Sequence, residues 1–129
     1  VELYTSEGCS SCPPADKYLD QLASLADDDS TIIPLAFHVD YWNYIGWEDP
    51  FSKAEFTTRQ RQIGAINKQA TIYTPQFVVD GEEARGSKVL SQIAKTNARK
   101  AQAAIKLELE SDNSSESRAI ITVDQLIAD

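Results

Sequence analysis

The sequence predicts an α/β fold, a central mixed sheet with helices on both faces and a β-hairpin appended at the C-terminal end. Three observations carry this. Short β-branched and aromatic runs alternate with longer stretches of helical period over residues 1–104. The run 32–39 is almost unbroken in apolar residues, as in a strand covered on both faces. After residue 104 the helical period gives way to strict alternation in Ile105-Lys106-Leu107-Glu108-Leu109-Glu110, the pattern of a half-exposed strand. Residues 1–104 therefore read as one domain built on a strand–helix–strand unit, and 105–129 as a β extension, the start of an incomplete second β unit.

The elements follow in order. Residues 1–5 form a strand that ends at Gly8. A helix then runs from the prolines Pro13 and Pro14 to about Ala26, its stripe made of Tyr18, Leu19, Leu22, Ala23, Leu25 and Ala26. Proline is tolerated there because first-turn amides have no intrahelical acceptor. Asp27-Asp28-Asp29-Ser30 breaks the pattern as an acidic loop. After the second strand comes an aromatic loop, 40–47. Asp49-Pro50 and the capping-box spacing of Ser52 and Glu55 then predict a helix over 51–65 that buries Phe56, Ile63 and Ile66. Residues 76–79 form a strand closed by the Asp80-Gly81 turn, with a short partner at 82–85. A last helix to about Ala104 points Val89, Leu90, Ile93, Ala94 and Ala101 inward. A polar turn, 111–117, and a strand, 119–123, complete the hairpin.

Composition narrows the function. At 129 residues the chain has one domain's worth of core. No apolar run approaches the roughly 18 residues of a membrane span. A net charge of −8 is the wrong sign for a nucleic-acid groove. The chain opens on Val1 and contains no methionine, the pattern expected of a processed or trimmed piece that has lost an export signal.

Two cysteines are too few to staple a small scaffold, and their spacing makes them one local device: Cys9-Ser10-Ser11-Cys12, between a strand and a helix. Unpaired amides at a helix start would stabilise a thiolate at Cys9, making it the attacking sulfur, and Ser10 and Ser11 could add hydroxyl donors. Cys12 would then displace the mixed disulfide. The reading requires the first sulfur to face solvent. Two other uses of the pair compete: a copper or zinc carrier completed by His38, and a non-catalytic interaction module whose dithiol locks the helix end. A closed zinc cage could only be finished by His38 and a carboxylate, and no metal site and no cofactor is expected.

The segment 1–12 resembles the active-site strand and turn of glutaredoxins and thioredoxins. Residues 73–81, Tyr-Thr-Pro-Gln-Phe-Val-Val-Asp-Gly, are similar to their second segment. Together with 37–42 and 46–51, the chain resembles the bacterial domain of unknown function 1223 family, thioredoxin-like and usually exported. The resemblance implies a thioredoxin-like fold, Cys9 as nucleophile, Cys12 as resolving thiol, and Pro75 as a cis proline beside them. Thr74 would offer its backbone to an extended substrate. It also implies a periplasmic or secreted location. Thioredoxins carry a buried acid where this chain has Leu3, so the proton must move by another route. Arg85 and Gly86 could receive a carboxylate, but Lys88 stands where an acid is usual, which argues against glutathione.

His38 and Asp40 lie at the carboxyl end of the second strand, on one face by strand period, where sites form in parallel α/β sheets. A histidine there could take a thiol's proton, with Asp40 as proton carrier or as its orienting partner. Trp42, with Tyr41, Tyr44 and Trp47, offers an apolar platform for a peptide, or packs under the following helix. The expected activity is thiol–disulfide exchange on a disulfide-bearing protein or a small thiol.

Overall fold

The structure, a computed structural model, describes residues 1–25, 32–111 and 117–125. Contacts divide the chain into Val1–Ala98 and Arg99–Asp129, a few residues before the boundary expected from the pattern. In the first unit β1 (Glu2–Thr5) leads into α1 (Pro13–Ala23), β2 (Leu35–His38), a 3-10 turn (Asn43–Ile45) and α2 (Ala54–Ile66). Then follow β3 (Gln76–Val79), β4 (Glu82–Ala84) and α3 (Lys88–Asn97). The sheet order is β2-β1-β3-β4. β1 runs parallel to β2, with Thr5 beside His38, and antiparallel to β3, with Tyr4 beside Gln76. This mixed sheet, with its first two strands parallel and a final hairpin and helix, is the arrangement implied by the thioredoxin-like resemblance.

Strand alternation sorts the core. Leu3 packs with Leu19 and Leu22 of α1, Val79, Ala84, and Val89 and Ile93 of α3 on one face. Tyr4 and Val78 point the other way, toward Val39, Phe37, Trp42 and Ile63 of α2. Two helices thus cover one face and α2 the other. Asp80 (φ 52°) and Gly81 (φ 79°) are both left-handed, the backbone that a two-residue hairpin turn requires.

Several expectations fall to tertiary context. The apolar run 32–39 is not covered on both faces: β2 is an edge strand, shortened to Leu35–His38, with Ile33 and Leu35 exposed. Residues 26–31, including the expected acidic loop, lie outside those described, as does the hairpin turn 112–116. α2 starts at Ala54 with Lys53 as a cap that makes no side-chain bond. The predicted Ser52 box fails because Ser52 Oγ is spent on the carbonyl of Asp49, 2.8 Å away. Ile66, in the last turn of α2, is exposed. α3 ends at Asn97, and Ala103 and Ala104 join a strand ladder instead, pairing with Gln125 and Asp124. Pairing overrides the helical propensity of alanine there.

The second unit is a hairpin of β5 (Ala103–Ser111) and β6 (Ser117–Gln125). Ile105, Leu107 and Leu109 stand opposite Val123, Ile121 and Ala119 on one face, and the bulky members of that face are exposed. No helix among the described residues is long and apolar enough to cross a membrane.

Candidate functional site

Cys9 and Cys12 are joined in a disulfide (Cα–Cα 5.4 Å) at the entrance to α1, with Cys12 as the helix cap. Ser11 Oγ lies 3.6 Å from Cys9 Sγ, and the Ser10 and Ser11 side chains are exposed. Two expectations about this turn are corrected. Cys9 is only 2% exposed and Cys12 fully buried, so in the closed pair the first sulfur does not face solvent. Nor do unpaired helical amides surround it. Pro13 and Pro14 have no N–H to offer, the N–H groups of Ala15 and Asp16 donate to the Cys12 carbonyl, and that of Cys12 donates to the Cys9 carbonyl.

The segment from Trp42 to Asp49 closes on the same turn. Trp47 Nε1 donates to Glu7 Oε2 (2.8 Å), and the Glu7 N–H donates to Asp49 Oδ2 (2.9 Å). A Cβ on Gly8 would stand 3.0 Å from Ile45 Cδ1 and 3.2 Å from Trp42 Cβ. Gly8→Ala should therefore overpack this contact and cost about 1–3 kcal/mol, read as a lowered Cm in urea with an unchanged slope.

The Thr74–Pro75 peptide bond is cis, as the resemblance implies. Because Tyr4 pairs with Gln76, Pro75 lies at the level of Thr5, at the sheet edge from which the disulfide turn departs. Trp42 reaches across from the aromatic loop, its Nε1 donating to Thr74 Oγ1 at 2.7 Å, so two predicted binding residues meet. Tyr73, Pro75, Phe77, Ala84, Arg85 and Gly86 line a cavity of about 550 Å³. Arg85 sits over the Tyr73 ring, 5.3 Å from its centroid, and pairs with Glu83 at 3.1 Å. Its guanidinium is thus already paired with a carboxylate of this chain.

His38 and Asp40 do not form the expected pair. Asp40 Oδ1 accepts the hydroxyl of Thr57, on α2. His38 Nδ1 bonds instead to Asp49 Oδ2 at 2.6 Å. Asp49 is 2% exposed and also accepts the Phe51 N–H at 2.9 Å. Burial pushes its carboxyl up, but the Glu7 amide, His38 and the Phe51 amide outweigh this and hold its pKa below the ordinary 3.8. Asp49 thus ties the second strand to the turn before Cys9. Sequence reasoning read Asp49 only as part of a helix start; the Asp-Pro dipeptide could equally have signalled a buried turn carboxylate.

Gln60 was also missed. It is 1% exposed, and its Nε2 donates to the Tyr73 carbonyl (2.8 Å) and to Gln76 Oε1 (2.8 Å) while its Oε1 accepts from Tyr41 OH (3.1 Å). Gln76 passes on to Glu83 at 3.3 Å. A polar chain beneath the sheet therefore holds the loop that carries Pro75. No group of three or more His, Cys, Asp or Glu that could hold a metal is found among the described residues.

The sequence model of a family described as a protein of unknown function, DUF1223, matches residues 1–127. A crystal structure of an Agrobacterium tumefaciens protein is similar at 33% identity and a TM-score of 0.69, over 83% of this chain and 49% of that one. The present chain spans about half the length of that relative. No curated protein matches.

Proposed function

The chain belongs to the DUF1223 family, and from its dithiol we propose that it is a thiol–disulfide oxidoreductase. The observation that carries this reading is the Cys9–Cys12 disulfide at the start of α1, at the same sheet edge as the cis Thr74–Pro75 bond. In the reduced form the Cys9 thiolate attacks a substrate disulfide, forming a mixed disulfide and releasing one substrate thiolate. Cys12 then attacks the Cys9 sulfur, closing the protein's disulfide and releasing the second thiolate. The substrate gains two electrons and the dithiol loses them. The opposite direction begins with a substrate thiolate attacking Cys9. Reduction potentials decide which way it runs.

A protein disulfide held near Pro75, or a small thiol, is the partner this reading takes, and an oxidising compartment outside the cytoplasm suits a closed pair. Burial of Cys9 requires the Trp42–Asp49 segment or the turn itself to yield before a substrate enters. The same burial favours a second reading, an interaction module in which the disulfide only braces the helix end.

A Cys12→Ser variant separates the two. Cys9 should accumulate stable mixed disulfides with a disulfide-bearing protein, visible as thiol-reducible adducts by mass spectrometry, and Cys9→Ser should accumulate none. Equal trapping by both variants, or by neither, would leave the bracing role.

A further inference from the structure

Resting on the dithiol reading above, we propose that Asp16 is the base that takes the proton from the Cys12 thiol when the mixed disulfide is resolved. Cys12 is fully buried in the closed pair, and a thiol kept at that position has no direct path for its proton to bulk water. Asp40, the carboxylate assigned from sequence, is committed to Thr57 on α2, and Asp49 to His38 and two loop amides. Asp16 lies one helical turn after Cys12, and its N–H donates to the Cys12 carbonyl at 3.0 Å. Residues four apart share a helix face, and side chains lean back toward the N-terminus, over the turn that carries Cys12.

A second contact fixes the direction of the carboxylate. Its Oδ1 accepts the hydroxyl of Thr5 at 2.7 Å, and Thr5, at the end of β1, is fully buried. Asp16 therefore points inward to the sheet beneath the disulfide turn, while its second oxygen remains to receive a proton. Along α1, Lys17 and Asp20 are exposed, and the half-buried Tyr18 packs its ring against Phe77. Across the sheet, β2 brings His38 beside Thr5, with its ring held by Asp49. Lys88 and Lys95 of α3 are exposed.

The step balances. Asp16 takes the Cys12 Sγ proton, the thiolate attacks Cys9 Sγ, the protein disulfide forms, and the substrate leaves as its thiolate. Asp16 then returns the proton to solvent.

The test uses the reduced full chain and a symmetrical aromatic disulfide whose thiolate is coloured. A first equivalent of colour reports attack by Cys9, and a second, independent of reagent concentration, reports attack by Cys12. In the unmodified chain, with Asp16 taking the proton, the second phase should be nearly flat from pH 6 to 8. In Asp16→Asn it should slow by about tenfold or more and climb about tenfold per pH unit. Asp16→Glu should recover part of the rate, and Thr5→Val should keep the flat profile. The proposal is overturned if Asp16→Asn leaves the second phase unchanged. It is equally overturned if the unmodified chain itself climbs tenfold per pH unit, a measurement that needs no variant. Absence of the first phase would instead sink the oxidoreductase reading.

Discussion

Replacing Asp49 by alanine is expected to cost about 3 kcal/mol or more, at about 1–3 kcal/mol for each donor left without its acceptor. The carboxylate accepts His38 Nδ1 and the amides of Glu7 and Phe51, and all three donors lose their acceptor at once. Asp49→Asn keeps the size and one carbonyl oxygen, so it should cost less than alanine. The pH dependence follows from the direction of the shift. The folded protein holds this carboxyl below its ordinary value, so its stabilisation is present above about pH 4 and is lost as pH falls through the folded pKa. Urea titrations at pH 7 and pH 3 should show the cost of Asp49→Asn shrinking on the acid side. An equal cost at both values would mean that the charge contributes nothing.

Gln60→Leu is the second large effect. The substitution nearly preserves volume, so the loss is polar: the Tyr73 carbonyl, Gln76 Oε1 and Tyr41 OH are left with one partner fewer in or near the core. At about 1–3 kcal/mol for each group left unsatisfied, the expected loss is about 3 kcal/mol or more. The consequence is not confined to stability. Tyr73 precedes Thr74, whose hydroxyl holds Trp42, so amide exchange at Phe77 and Val78 should quicken together with fluorescence changes at Trp42. A variant that loses stability while both probes stay as they were would show that the network does not hold this loop.

What could be read from the sequence was local. The Cys9–Cys12 device, the Asp80-Gly81 turn and the alternating tail each announce themselves within a few residues, through chain chemistry that works at short range. The resemblance in 73–81 supplied the cis Pro75. Partners across the fold were not legible. His38 has two aspartates nearby in the chain, and nothing in their spacing says that the more distant Asp49 wins; the choice is made where the loop turns back onto Glu7. The apolar run 32–39 suggested burial, but whether a strand lies at the centre or the edge depends on the order in which the others assemble. The two prolines after Cys12 were read as tolerated in a first turn, when their larger effect is on the sulfur's surroundings.

That effect reaches into redox tuning. Most helix-start dithiols can adjust thiolate stability through the main chain itself, which a point substitution barely alters. Here Pro13 and Pro14 withdraw two of those donors, and the neighbouring amides serve carbonyls. The nearest adjustable dipole is then the Ser11 hydroxyl, at the surface and free of packing duties. On the oxidoreductase reading proposed above, such a molecule would shift between oxidant and reductant by exchanging a single exposed side chain, leaving its interior untouched.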